Sequence, residues 1–462
     1  MKRRWQISFF AALLLLLAGC GEGAWNNPYP SSQRGDNIRY SAFSERPKHL
    51  DPVQSYSENE AVFNAQIYEP PLQYHYLKRP YELVPLTATE VPRPKKYDKA
   101  GQVLSDKAEG ETVAYSVYEI RIKPGIYYQP HPAFAKDANG KFLYHELKPG
   151  DLDGIWQVKD FTKTGTRELI AADYVFEIKR LAHPRLHSPI FGLMSDDIVG
   201  LKEYAEKLRR DYDALVAAGK SEAHLDLNSH ALEGAEAVDR YTYRVKLKGV
   251  YPQFVYWLAM SFFAPVPEEV ERFYSQPGMA EKNLTLDWYP VGTGPYMLTV
   301  NDPNRQMVLA RNPNFHGERY PTEGEQEDAA AGLLEDAGKP IPFVDRAIYT
   351  LEKEGIPYWN KFLQGYYDAS GISSDNFDQA VQMSTTGEIA LTEDMRSKGI
   401  KLETAVAPSD NYMGFNWLDP VVGGVSERAR KLRQAISIAI DYEEYISIFA
   451  NGRGVPAQGP IP

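Results

Sequence analysis

The stretch PVGTGPY, residues Pro290–Tyr296, leads the chain into a strand through two glycines and a proline. Glycine permits positive φ and proline fixes φ, so we expect a tight turn before Tyr296. A nucleotide-binding loop would need a third glycine in the GxGxxG pattern, or a lysine followed by serine or threonine. Because Pro295, Tyr296 and Met297 follow instead, the sequence predicts a structural turn and argues against a phosphate site.

Strands and helices alternate on both sides of this turn. Directly after it, Met297–Ala310 has the pattern of a β-hairpin. Alternating apolar and polar residues predict strands at Ile38–Phe43 and Tyr115–Ile122. Helical spacing predicts a helix at Ala171–Leu181, and one long helix or two at Ala429–Ala450. The fold class that follows is mixed α/β.

The first residues predict export from the cytoplasm. A basic start at Lys2–Arg4 precedes an apolar run at Ile7–Leu17, which is shorter than the ~20 residues of a membrane span. Leu17–Cys20, with the sequence LAGC, resembles the lipobox of bacterial lipoproteins. The resemblance implies cleavage before Cys20 and a diacylglycerol on its sulfur. The alternative is an ordinary signal peptide in which Cys20 is incidental.

Composition limits the classes of protein that the chain can belong to. Cys20 is the only cysteine among 462 residues, so no internal disulfide can form. A hydrophobic content of 43% can supply a core without one, and the length suggests more than one domain. The net charge of −11 argues against nucleic acid as a partner. The 31 tyrosines suit either a surface that grips varied solutes or an ordinary extracellular protein.

No pattern in the sequence indicates catalysis, a metal or a cofactor. The chain has no HExxH motif, and His183 and His187 lie on either side of Pro184, which disfavours a helix that would pair them. The acidic stretch Thr322–Lys339 lacks ligand spacing, so a solvated loop is preferred over a cation site. We therefore expect no catalytic residue, no metal ligand and no cofactor, and keep a secreted hydrolase only as the enzymatic alternative.

A set of short motifs occurs in a fixed order along the chain. The motifs are Leu50–Pro52, Glu82–Leu86, Tyr118–Ile126, Ala171–Leu181, Pro290–Tyr296, Arg311–Phe315, Tyr412–Asn416, Leu432–Asp441 and Gly452–Ala457. Their order resembles that of the family-five extracellular solute-binding proteins, which include the oligopeptide- and dipeptide-binding proteins of ABC importers. The resemblance runs from about Ile38 to Pro462.

This resemblance implies a two-lobed fold of the type II periplasmic-binding-protein class with an extra N-terminal subdomain. The implied parts are a signal peptide at 1–19, a lipid-anchored tether at 20–35, lobe I at 36–55 plus 287–371, an extra subdomain at 56–286, and part of lobe II at 372–462. In the family a strand returns to lobe I after lobe II. We expect lobe II to be incomplete here, and the acidic anchor of the ligand to lie beyond Pro462.

The resemblance further implies a monomeric protein of the periplasm or cell surface, anchored to the membrane through Cys20. It would capture peptides and deliver them to the permease of an ABC transporter. A sugar, a nickel complex or haem is the alternative solute. A peptide binder should show exposed strand-edge backbone and an acidic anchor, whereas a sugar or metal-complex binder should show stacked aromatic rings or an arginine cage.

Four residues are expected near the solute from their motif positions. They are Phe176, Tyr412, Phe415 and Asn416. Structural roles are the alternative for three of them, since both phenylalanines could belong to the core and Asn416 could cap a helix or a turn.

Overall fold

The computed structural model describes residues 28–29, 36–148, 150–220, 223–383, 389–405, 407 and 409–459. The predicted signal peptide, Cys20 and most of the predicted tether lie outside these residues. The chain divides into two compact units, of which the large unit comprises residues 31–351 and the small unit residues 1–30 and 352–462. Within the described ranges, no helix combines the length and the apolar character needed to cross a membrane.

Strands and helices alternate along the chain, and this confirms the predicted mixed α/β class. The strands are β1 (Ile38–Phe43), β2 (Leu72–Tyr74), β3 (Leu83–Pro85), β4 (Lys95–Tyr97), β5 (Tyr115–Arg121), β6 (Ala235–Ala237), β7 (Thr242–Lys248), β8 (Tyr296–Asp302), β9 (Gln306–Arg311), β10 (Glu318–Arg319), β11 (Pro340–Ile341), β12 (Arg346–Leu351), β13 (Val381–Met383) and β14 (Ile389–Leu391). The helices are α1 (Glu58–Ile67), α2 (Ala171–Arg180), α3 (Phe191–Asp197), α4 (Leu201–Ala217), α5 (Phe254–Trp257), α6 (Glu268–Tyr274), α7 (Gln326–Ala330), α8 (Gly355–Leu363), α9 (Phe377–Ala380), α10 (Glu393–Ser397), α11 (Glu427–Ile438) and α12 (Tyr442–Phe449).

The predicted strands and helices are present. The sequence left open whether Ala429–Ala450 forms one helix or two. Strands β8 and β9 form the predicted antiparallel hairpin, with Tyr296 opposite Arg311. The apolar stretch near the end of the chain forms two helices and not one, because the Asp441 side chain accepts a hydrogen bond from the Glu444 amide at 2.9 Å and so caps a new helix.

The central sheet of the large unit joins distant parts of the chain. Its strand order is β1-β12-β9-β8, in which β1 runs parallel to β12 and the other pairs are antiparallel. Ile38 lies opposite Arg346 in this register. The sheet is therefore complete only when β1, near the start of the large unit, has paired with β12 at its end.

A second, antiparallel sheet has the order β4-β5-β7-β6 and carries the helix predicted at Ala171–Leu181. Along β5, Tyr118 and Ile120 are buried and alternate with partly exposed residues, as expected for a sheet with one covered face. Helix α2 packs on that face, where the rings of Tyr174 and Tyr243 stack with their centroids 5.1 Å apart.

The glycines of PVGTGPY serve close packing, and the expected use of positive φ was wrong. Neither Gly292 nor Gly294 has φ in the left-handed region. A Cβ on Gly292 would lie 1.9 Å from the Ile67 carbonyl oxygen, and one on Gly294 would lie 2.7 Å from it. The Gly294 amide donates to the same carbonyl at 2.9 Å. Glycine is required here because the strand starts directly against the end of α1.

A buried arginine links three segments of the large unit. The Arg180 side chain is 1% exposed and forms a fork on Asp51, with Nη1–Oδ1 at 2.9 Å and Nη2–Oδ2 at 2.6 Å. Its Nη1 also donates to Glu177 at 2.9 Å, and its Nε donates to Glu271 at 3.0 Å. We call these four residues the Arg180 cluster. It fixes the segment after β1 against α2 and α6.

Three carboxylates facing one guanidinium leave an excess of negative charge inside the protein. Burial raises the pKa of Glu177 well above its usual value, because the interior disfavours a charged carboxylate more than Arg180 favours it. Burial acts against the charged form of Glu271 as well, but the charge and hydrogen bond of Arg180 together with the charges of His183 and His224 outweigh it, and the pKa is lowered. Oε1 of Glu177 has no hydrogen-bond partner among the described residues. Burial also raises the pKa of Asp51, although the charge of Arg180 opposes it, so the interior shifts both Glu177 and Asp51 toward the neutral form.

Replacing Glu177 with glutamine should make the stability of the protein less sensitive to pH. Because the folded-state pKa lies above the unfolded value, the contribution of Glu177 to stability is complete below its usual pKa of 4.5 and is lost as the pH rises toward the folded pKa. The free energy of unfolding of Glu177→Gln, minus that of the wild type, should rise in denaturant titrations as the pH is raised above the usual pKa of 4.5.

The matched control is Glu203→Gln on the exposed side of α4, for which the same difference should stay constant. A constant difference for Glu177→Gln as well would show that Glu177 is ionised in the folded protein.

Candidate functional site

A tight turn follows the motif Tyr412–Asn416 in the small unit. The Asn416 side-chain oxygen accepts a hydrogen bond from the Leu418 amide at 3.0 Å, which starts the turn. The Gly424 amide donates to the Trp417 carbonyl oxygen at 2.9 Å, which closes it. These backbone bonds fix the position of Trp417, whose side chain is 54% exposed.

Helix α11 begins directly after the turn. The Ser426 hydroxyl accepts a hydrogen bond from the Ala429 amide at 3.2 Å and caps the helix. Residues three or four positions apart lie on one face of a helix. On α11 one such face consists of Arg430, Arg433, Gln434, Ser437 and Ile438.

Arg433 joins this helix face to the turn. Its guanidinium carbon lies 4.3 Å from the ring centroid of Trp417, within the range of a cation–π interaction. Nη1 of the same side chain donates to the carbonyl oxygens of Val422 and Gly424, the second at 3.1 Å. The guanidinium is thus committed to holding the helix and the turn together.

The helix face and the turn border an open, shallow depression with a volume of about 630 Å³. It is lined by Phe415, Trp417, Arg430, Arg433, Gln434, Ser437 and Ile438, and we call it the Trp417–Arg430 surface. The lining contains two arginines and no carboxylate, in a protein of net charge −11.

The residues that the sequence predicted near the solute belong to both units: Phe176 to the large unit, and Tyr412, Phe415 and Asn416 to the small unit. Phe415 lines the Trp417–Arg430 surface, and Asn416 supports it from the turn, in the structural role left open above. Tyr412 lies in the same segment and is 89% exposed. Phe176 is 3% exposed and belongs to the hydrophobic core of the large unit. Ligand contact stays a prediction for all four, and Cys20 lies outside the described residues.

Sequence reasoning missed the two kinds of side chain that give this surface its chemistry. Trp417 lies one residue beyond the motif, which ends at Asn416 and therefore does not include it. Arg430 and Arg433 occur inside a stretch predicted to be helical, where their spacing of three already placed them on one face. What the sequence could not supply was the turn that brings this face against Trp417.

Elsewhere in the described ranges, no group of three or more histidine, cysteine, aspartate or glutamate side chains is arranged to hold a metal ion. The acidic stretch Thr322–Lys339 uses its carboxylates locally. The Asp328 side chain accepts a hydrogen bond from the Glu325 amide at 2.8 Å, and Asp336 forms an ion pair with Lys339 at 2.5 Å. The first contact caps helix α7, so the prediction of a loop was wrong for Gln326–Ala330, and the second is an exposed ion pair.

Solved structures with the same fold define the class of the protein. Helicobacter pylori DppA, a periplasmic binding protein in complex with the peptide STSA, is 15% identical, with 94% of this chain and 62% of that chain covered and a TM-score of 0.51. Peptide-bound Listeria monocytogenes OppA is 14% identical, with coverage of 93% and 61% and a TM-score of 0.50. The fold is therefore that of the type II periplasmic binding proteins.

The family is shown by the sequence itself. The profile of the bacterial extracellular solute-binding proteins, family 5 Middle, matches residues 164–462, and the chain belongs to this family. Its members act outside the cytoplasm and bind solutes; they are not enzymes, so the hydrolase alternative is withdrawn.

One characterised relative carries a different ligand in its name. Heme-binding protein A of Haemophilus influenzae is 24% identical over 231 residues, which are 50% of this chain and 34% of that protein. The chain thus spans about a third of this relative's length and, as given above, 61% and 62% of the two solved structures.

Replacing Gly423 with alanine should open the turn that holds Trp417. A Cβ at this position would lie 2.3 Å from the Trp417 carbonyl oxygen and 2.5 Å from that of Asp419, both backbone atoms that cannot rotate away. We expect the Gly424 amide to exchange with deuterium faster in Gly423→Ala than in the wild type. Gly371→Ala, whose Cβ would have no neighbour within 4 Å, is the control. Equal protection in Gly423→Ala would show that the turn is not tightly closed.

Proposed function

We propose that the protein captures peptides outside the cytoplasm, as a monomer, and delivers them to the permease of an ABC transporter. The family match over residues 164–462 carries this proposal, since family-five proteins serve as the solute-binding components of ABC importers. The two solved structures of the same fold were both obtained with a bound peptide, which supports peptides as the first solutes to test.

The proposed lobes follow the sequence prediction. Lobe I would comprise 36–55 and 287–371, the extra subdomain 56–286, and lobe II would begin at 372. In support, β1 shares one sheet with β8, β9 and β12, whereas the sheet of β4 to β7 lies wholly between residues 56 and 286. The compact units divide between Leu351 and Glu352, so the start of lobe II at 372 stays a prediction.

Haem is the second candidate solute, and two observations favour it. Heme-binding protein A matches half of the chain, and its name states its ligand. The Trp417–Arg430 surface has the combination of aromatic rings and arginines expected for a flat, anionic metal complex. The first observation applies to haem and not to a sugar or a nickel complex, for which the aromatic and arginine lining would serve equally.

A solute panel separates these candidates. Purified protein is heated alone and with tripeptides to pentapeptides, with haemin, and with a mixture of free amino acids that matches the peptides in composition. A solute at ~100 times its dissociation constant should add ~2.7 kcal/mol to the free energy of unfolding. We expect stabilisation by peptides and none by the free amino acids.

Stabilisation by haemin without stabilisation by peptides would replace the peptide proposal with the haem alternative. If no member of the panel raises the melting temperature, solute capture by this chain is refuted for both classes.

We also propose that the protein is held at the membrane through a lipid on Cys20. The basic start, the short apolar run and the sequence LAGC support this. Two or more acyl chains give stable anchoring, whereas one chain is marginal. Cys20→Ala should abolish incorporation of a labelled fatty acid and release the protein from membranes. Ser8→Ala, within the apolar run, should retain both. Labelling that persists in Cys20→Ala would exclude this residue as the anchor.

A further inference from the structure

The two arginines of the Trp417–Arg430 surface differ in what they contact. Arg433 is engaged by two carbonyl oxygens and by the Trp417 ring. Arg430 lies one turn earlier on the same helix face, and no carboxylate of the described residues lies within ion-pair distance of it. The neighbouring acid on α11, Glu427, pairs with Lys431 at 3.0 Å. The guanidinium of Arg430 is therefore available to a partner from outside the chain.

The rest of the surface supplies two further kinds of contact. Gln434 and Ser437 continue the stripe of Arg430 along α11 with an amide and a hydroxyl, both of which can donate hydrogen bonds. Phe415 and Trp417 supply an apolar, aromatic floor. A complementary ligand thus has a hydrogen-bond-accepting anionic group next to a flat or apolar body.

We propose that the Trp417–Arg430 surface binds the carboxylate of the solute, with Arg430 as the residue that recognises it. The planar guanidinium offers two parallel N–H donors, which match the two oxygens of a carboxylate. The apolar part of the solute would lie on Trp417 and Phe415. An ammonium group is disfavoured here, because two guanidinium charges line the surface and no carboxylate offsets them.

The inference rests on the proposed function, since it names the chemical group of the solute that one part of the site receives. A carboxylate of this kind can come from the C-terminus of a peptide or from the propionate of a porphyrin. Both present an anion beside an apolar body, so each needs its own probe.

The test compares each carboxylate with its uncharged counterpart. The probes are an apolar tripeptide and its C-terminal amide, and haemin and its dimethyl ester, titrated into the full chain by calorimetry. Wild-type protein should bind the acid form of at least one pair more tightly than the neutral form. Arg430→Gln should weaken binding of that acid by about tenfold, as expected for a charge-assisted hydrogen bond at a partly exposed site, and should leave the neutral form unchanged.

Two further variants complete the design. Arg430→Lys keeps the charge but loses the fork, and it should retain part of the preference for the acid. Arg428→Gln removes another exposed arginine from the same helix, outside the lining of the surface, and should bind like the wild type. The pair of probes that responds identifies the source of the carboxylate.

Equal binding of acid and neutral forms by the wild type would overturn the inference and leave solute capture standing. The inference is also overturned if Arg430→Gln still binds the acid form more tightly than the neutral form. It is overturned as well if Arg428→Gln loses this preference as much as Arg430→Gln does. If no probe binds the wild type, the proposed function fails and this inference fails with it.

Discussion

The guanidinium of Arg180 joins parts of the large unit that are far apart in sequence. It binds Asp51 in the segment after β1, Glu177 on its own helix α2, and Glu271 on α6, with its side chain almost fully buried. A charge in this position is tolerated only because the carboxylates satisfy its donors, and removal of one partner of a buried pair costs ~3–5 kcal/mol. The cluster thereby specifies where the chain after β1 must lie.

The main contribution of such a cluster is to fix where the segments lie, and not to raise the free energy of unfolding. Hydrophobic residues of similar volume can replace a buried ion pair with little loss of stability, so burial of charge is weak support for a purely stabilising role. Arg167 forms a second fork in the same unit, to Asp173 and Glu269, and thus attaches α6 to the start of α2. The buried Arg180 and the partly buried Arg167 together fix α2 and α6, on which the second sheet and its core depend.

The small unit is held by different interactions. Its own hydrophobic core is minor, with Trp359, Phe377 and Met395 among its few buried members. The turn around Trp417 and the start of α11 are organised instead by backbone hydrogen bonds, by Arg433 and by a helix cap. Such local interactions leave the aromatic and cationic side chains of the Trp417–Arg430 surface at the boundary with solvent, where a solute can reach them.

Elements with a clear period were predictable from the sequence, and long-range contacts were not. The hairpin after Tyr296 and the strand at Ile38–Phe43 follow from residues adjacent in the chain. The contact between Gly292 and the Ile67 carbonyl oxygen could not be predicted in this way. No pattern in the neighbouring residues indicates which backbone segment packs against a glycine. The same applies to the candidate site: Phe415 was found from its motif, whereas Phe176, with equal motif support, lies in the core.

The parallel pairing of β1 with β12 has a consequence for how the protein is made. On the ribosome β1 is synthesised early, yet its partner is complete only at Leu351. Until then β1 is an unpaired strand, and non-local pairing of this kind is slow to form and prone to aggregation. Expression fragments intended to fold should therefore keep Ile38 and Leu351 in one polypeptide, even when the region of interest lies between them.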